Sequence, residues 1–188
     1  MGKPVYRYPE FVTNISLDKS GGKRYWLNLK IEKTKKETII VILKNPSKAN
    51  EEISDKTVYT VTKYISKNSN KYPELRNIGN IIILNLTPIY LTDSTQLQHS
   101  SNSIVDTKNE TIINHYCNEH KKVIIAWGNH PNGLFTEYEV LKSSTLSILK
   151  KNNNDVFYVD KITKRGNPKH GQVWGYKNEL KKYDIINE

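Results

Sequence analysis

Hydrophobic residues in this chain arrive in two rhythms. Thr38 to Leu43, Asn80 to Leu84 and Lys122 to Trp127 are short, nearly continuous apolar runs rich in β-branched residues. That pattern marks strands covered on both faces. Val156 to Val159 reads as a short fourth strand. Tyr25 to Ile31 alternates in character instead, and after Gly21-Gly22 it predicts an antiparallel strand following a turn. Elsewhere the period lengthens. Val58, Val61, Tyr64 and Ile65 recur at helical spacing, and Asp55 or Thr57 can cap a helix running to about Lys67. Ile112, Ile113 and Tyr116 form one stripe of a helix over Thr107 to Glu119, and Leu134 to Lys150 predicts a third helix.

Strands alternating with helices predict an α/β fold. The expected form is a three-layer α/β/α sandwich around a central, mostly parallel four-stranded sheet, with an N-terminal antiparallel strand or hairpin. No repeat, low-complexity tract or long linker interrupts it, so residues 1–188 read as one domain. In such sheets ligands bind beyond the carboxyl ends of the strands. Four loops fall there: residues 44–49, 85–90, 128–133 and 161–174. They hold the densest clusters of Asn, His, Pro and Gly.

Composition narrows the partners. The net charge is +10, and it is unevenly spread. Residues 1–76 carry 16 Lys and Arg against 8 acids, and residues 150–188 carry 9 against 5, while the middle carries 4 against 6. Basic flanks around a neutral centre favour a polyanionic partner such as DNA, single- or double-stranded. A lysine- and asparagine-rich composition without a binding role accounts for the same charge. No apolar run approaches the roughly 20 residues that span a bilayer, and the N-terminus has no apolar signal region. The expectation is a cytoplasmic monomer without membrane contact. A single cysteine, Cys117, excludes an internal disulfide and a multi-cysteine zinc site. No metal and no cofactor is expected.

The loops supply the candidate chemistry. Asn45-Pro46-Ser47 directly follows a buried strand, where Pro46 rigidifies the turn and a short polar side chain can enter the cleft. Asn85 stands between Leu84 and Leu86 at a strand exit, and its amide offers one acceptor and two donors, enough to read a base edge. An ordinary structural asparagine is the competing reading. Ala126-Trp127-Gly128 ends the third strand. Lys164, Arg165 and Lys169 crowd His170 in a loop with Gly166 and Gly171, which suits phosphate contact around an imidazole.

In this order the motifs closely resemble the bacterial and phage family called domain of unknown function 1643. They are Asn45-Pro46-Ser47, Asp55-Lys56-Thr57, Asn85 with Thr92-Asp93, Ala126-Trp127-Gly128, and Lys164 through His170. More remotely the order resembles the uracil-DNA glycosylase superfamily. That resemblance implies that Asn45 positions an attacking water, that Asn85 reads the base, and that Tyr59 stacks on it. It places His170 in the last motif and Trp174 where an apolar side chain enters the duplex. Two departures stand out: Gly171 follows His170 where proline is usual, and Ser47 replaces the bulky residue that excludes a 5-substituent.

The expected function is therefore a nucleic-acid-binding protein, and beyond that a DNA base glycosylase acting on a flipped, 5-substituted pyrimidine. In that reading Asn45 and His170 are catalytic. Ser47, Tyr59 and Asn85 bind the base, and Lys164, Arg165, Lys169 and Trp174 contact DNA. A non-catalytic DNA-binding relative and an enzyme acting on free nucleotides or nucleosides are the alternatives. Steep salt dependence on long DNA separates the first two from the third.

Overall fold

The computed structural model describes residues 6–90, 104–131 and 133–185. Seven strands form one sheet: β1 (Asn14–Ser20), β2 (Lys23–Lys30), β3 (Glu37–Leu43), β4 (Ile78–Asn85), β5 (Lys122–Ile125), β6 (Asp155–Val159) and β7 (Leu180–Lys182). Their spatial order is β1-β2-β4-β3-β5-β6-β7. The pairs β3/β4, β3/β5 and β5/β6 are parallel, whereas β1/β2, β2/β4 and β6/β7 are antiparallel. The expected four-stranded, mostly parallel sheet is thus corrected to a seven-stranded mixed one. The periodicity signal is the reason. Doubly buried strands announce themselves as apolar runs, while β1 and β7 are mostly half-buried or exposed and carry polar residues such as Asp18 and Lys181.

Among the described residues three α-helices cover the two faces: α1 (Lys56–Asn68), α2 (Thr107–Glu119) and α3 (Phe135–Lys151). Alternate residues of each strand feed alternate layers. Ile39, Val41 and Leu43 of β3 pack with Val58, Val61, Tyr64 and Ile65 of α1. Ile40 and Ile42 turn the other way, into a core with Ile113 and Cys117 of α2 and Tyr138 and Leu141 of α3. The Asp55 carboxylate caps α1 by accepting the Val58 amide at 2.8 Å, and Asp106 caps α2 through the Asn109 amide at 2.9 Å. These caps set the helix starts, and the apolar stripes set their faces.

A bulge in β2 redirects one side chain. Asp18 opposes Trp26 and Lys19 opposes Arg24, so Tyr25 is the extra residue. Trp26 packs edge-on against Tyr116 of α2, and the Tyr25 ring lies under Lys108 of the same helix. Two consecutive rings therefore share one face. Arg24 then falls on the other, buried at 1 % exposure, with Nη1 donating to the Ala49 carbonyl at 2.8 Å.

Trp174 also belongs to the core. It is 5 % exposed, meets the Tyr64 ring edge-on at 5.1 Å, and donates its indole N–H to the Lys169 carbonyl. A buried ring cannot enter a duplex, so the expected wedge at this position is corrected to a packing anchor. Trp174→Ala should cost about 3–5 kcal/mol of stability in urea denaturation. A loss below about 1 kcal/mol would remove Trp174 from the core.

Candidate functional site

The carboxyl ends of β4, β3 and β5 lie side by side. Leu43 pairs with Asn85, the Leu86 amide donates to the Leu43 carbonyl at 2.9 Å, and the Ala126 amide donates to Ile42 at 2.8 Å. The last loop closes over this edge. The Gly171 amide donates to the Ala126 carbonyl at 3.2 Å. A Cβ at Gly171 would stand 2.7 Å from Val61 and 3.1 Å from Leu43, so only glycine fits between α1 and β3. Gly128 adopts φ +70°, and a Cβ there would meet the His170 Cβ at 2.8 Å. Both glycines serve one purpose, which is to seat His170 against the sheet.

Asn85 lies inside this edge with no exposed surface. Among the described residues, neither its amide oxygen nor its amide nitrogen has a hydrogen-bond partner. The alternation of β4, with Ile81 and Ile83 in the α1 core, directs its side chain toward the α1 side. Its backbone is held instead: Asn109 Nδ2 donates to the Asn85 and Leu86 carbonyls at 2.9 and 3.1 Å. The buried Thr87 hydroxyl is also unpaired. Each buried, unsatisfied polar group costs about 1–3 kcal/mol. Among the described residues, Asn85 is the side chain with both polar atoms buried and unpaired.

His170 and Lys44 give the site its electrostatics. The His170 Nδ1 accepts the Gln172 amide at 3.2 Å, which leaves the ring proton on Nε2. Burial, with help from the neighbouring Lys44 ammonium, lowers its pKa to about 4, so the imidazole is a neutral donor at physiological pH. Lys44 itself is half-buried, and burial lowers its pKa in turn. It is held by its backbone carbonyl, which accepts the Thr87 amide at 3.1 Å.

The remaining expected residues divide. Asn45 donates its amide to the Pro46 carbonyl at 2.9 Å, tightening the turn that leaves β3, and Ser47 is half-buried in that turn. Tyr59 is elsewhere on α1. At about 100° per residue it faces away from Val61, and its ring meets Tyr6 and Lys63. Lys164 and Arg165 are exposed, but Lys169 is ion-paired with Asp160. Thr92 and Asp93 lie outside the described residues. Val173, immediately before the buried Trp174, is 60 % exposed.

Two further residues belong to this end of the sheet. Arg24 arrives through the β2 bulge, and the Arg24 amide donates to the Pro88 carbonyl at 2.9 Å just beyond β4. Its guanidinium lies near Asp55, Tyr90 and Tyr8, and its Nε is unpaired. Lys44 is the other. A basic residue beside Gly21-Gly22 and a lysine before Asn-Pro look ordinary in sequence. Only the bulge and the depth of the edge single them out.

The lowered pKa of the half-buried His170 makes stability depend on pH. Its unfolded value is about 6.5 and its folded value about 4, so the unfolded chain takes the proton first. Stability is therefore full above pH 6.5 and falls as pH drops toward 4, by on the order of 3 kcal/mol. Urea denaturation across that range should show a slope that His170→Gln reduces. Equal slopes in both proteins would contradict a neutral imidazole in the folded chain.

Among known proteins, the model of the family described as "protein of unknown function (DUF1643)" matches residues 24–171. No curated protein and no solved structure matches the chain. The matched span begins at the buried Arg24 and ends at Gly171, enclosing the whole carboxyl edge from β2 to the His170 loop. The chain belongs to the DUF1643 family.

Proposed function

We propose that this protein binds nucleic acid, takes one pyrimidine out of the stack, and hydrolyses its glycosidic bond. The observation that carries this reading is the Asn85 amide, buried with donor and acceptor both unpaired. The imide or amidine edge of a pyrimidine satisfies both at once. His170 supplies a neutral N–H that can stabilise charge developing on the departing ring, without first giving up a proton. Asn45 orients water from the turn after β3. The hydroxyl of that water joins the sugar carbon, the bond's electron pair leaves with the ring nitrogen, and the remaining proton ends on the released base.

The rim suits a polyanion. Lys164 and Arg165 are exposed in the loop that carries His170, and Val173 and Phe135, each 60 % exposed, add apolar side chains to the surface. A small residue at position 47 leaves room for a 5-substituent. Non-catalytic DNA binding is the second reading. It is favoured by the amide at position 45 and by the engagement of the Asp55 carboxylate as a helix cap, which leaves neither as a general base.

The two readings part on product. Duplex and single-stranded oligonucleotides carrying one 5-substituted pyrimidine should release free base in the hydrolytic reading and only bind in the other. Asn85→Leu separates function from folding. Removing two unpaired buried atoms should raise stability by about 1–3 kcal/mol while abolishing base binding. A variant less stable than the wild type would make Asn85 a structural residue and sink its role in base reading.

A further inference from the structure

The outer face of α1 carries cations and rings in contact. Tyr59, Lys63 and Lys67 follow one another at intervals of four, on the side away from Val61 and Ile65. Two more rings reach this face from distant parts of the chain. The Ser54 amide donates to the Tyr6 carbonyl at 2.8 Å, and the Tyr6 ring lies 5.8 Å from that of Tyr59. Tyr176 is pinned from the other end, where its carbonyl accepts Asn68 Nδ2 at 3.1 Å and the Tyr64 hydroxyl donates to the Asn178 carbonyl at 2.9 Å. The Lys63 ammonium stands 5.1 Å from the centre of the Tyr59 ring, and that of Lys67 stands 4.5 Å from Tyr176. Tyr176 is close enough to act on the charge of Lys63, which joins the two halves into one belt. Lys67 and Tyr176 are exposed, and Tyr6, Tyr59 and Lys63 are partly so. Among the described residues no ion pair reaches either ammonium. Glu10, the carboxylate whose field Lys63 feels, forms none with it.

We propose that this belt holds single-stranded nucleic acid, with phosphates on Lys63 and Lys67 and bases stacked on the tyrosine rings. A strand with unpaired bases answers both components at once, since its backbone meets the ammonium groups and its flat bases meet the rings. A duplex hides its base faces and answers the ammonium groups alone, as does an acidic peptide. An ammonium on an exposed ring is held more weakly than a base stacks there, so a base displaces it and the lysine turns to the phosphate. Backbone hydrogen bonds hold Tyr6 and Tyr176 in place before any ligand arrives, which limits the freedom lost on binding. The belt is a second surface, and its role does not rest on base reading by Asn85.

A fluorescent strand of adenines alone is the probe, because it offers Asn85 no pyrimidine. Anisotropy titration of the full chain should show this strand bound about tenfold or more tightly than its duplex with oligothymidine at the same salt. Tyr59→Ala combined with Tyr176→Ala should weaken single-strand binding by about tenfold or more, whereas the two phenylalanine substitutions keep it, because the ring stacks and the hydroxyl does not. Lys63→Gln combined with Lys67→Gln should flatten the salt dependence by about 0.7 in logarithmic slope for each lysine. The glutamine pair alters surface side chains only and carries the test should the alanine pair fail to fold. Equal affinity for strand and duplex, equally tight binding of polyglutamate, or no binding at all would overturn the proposal. Undiminished affinity in a folded alanine pair, or an unchanged slope in the glutamine pair, would take the belt out of the interface. None of these outcomes touches base reading by Asn85, which free thymine or uracil tests separately, and failure of those bases to bind leaves the belt standing.

Discussion

Gly171 donates its amide to the Ala126 carbonyl, 3.2 Å away, and this contact decides where His170 stands. The bond ties the chain's last loop to the end of β5, and it is possible because no side chain separates the loop from Val61 and Leu43. Gly128 makes room from the other side. Trp174, packed on Tyr64, then anchors the far end of the loop in the α1 core. Remove any of these and the imidazole loses its seat. The neutral charge state of His170, its tautomer and its proximity to Lys44 all follow from that one docking.

The edge carries more unmet polar demand than folding requires. Among the described residues, the Asn85 amide, the Thr87 hydroxyl and the Arg24 Nε are buried without partners. Elsewhere single polar atoms are unpaired as well, among them Asn28 Oδ1, Asn109 Oδ1 and Asn154 Oδ1, but the last two side chains bond through their nitrogens. Asn109 binds two carbonyls through its amide nitrogen, Asn154 holds three, and Asn68 bridges α1 to Tyr176. Asn85 stands apart because its amide oxygen and its amide nitrogen are both unpaired.

Sequence made part of this legible. Doubly buried strands write themselves as apolar runs, so β3, β4 and β5 and the loops beyond them were readable, and with them Asn85 and His170 as neighbours of one edge. The rest depends on facts that local pattern does not carry. β1 and β7 add to the sheet with half-polar strands, and three antiparallel pairings go with them and β2. Arg24 turns inward only because Tyr25 is an extra residue in the ladder. The burial of Trp174 depends on Tyr64, contributed by a distant helix, and Tyr59 faces away from the core because of its phase on that same helix. Lys44 looks like any surface lysine until the depth of its strand end is known.

The central claim is that the Asn85 amide is an open recognition group facing a ligand. Nitrogen-edited NMR of the side-chain amides, recorded while thymine or uracil is added, addresses it directly. The account predicts that the Asn85 Nδ2 protons shift as a hydrogen bond forms and that the His170 Nε2 proton moves with them. The Asn109 and Asn154 amides, already bonded, should stay in place. Shifts confined to the exposed Lys164 and Arg165 region, with Asn85 unmoved at saturating base, would contradict it.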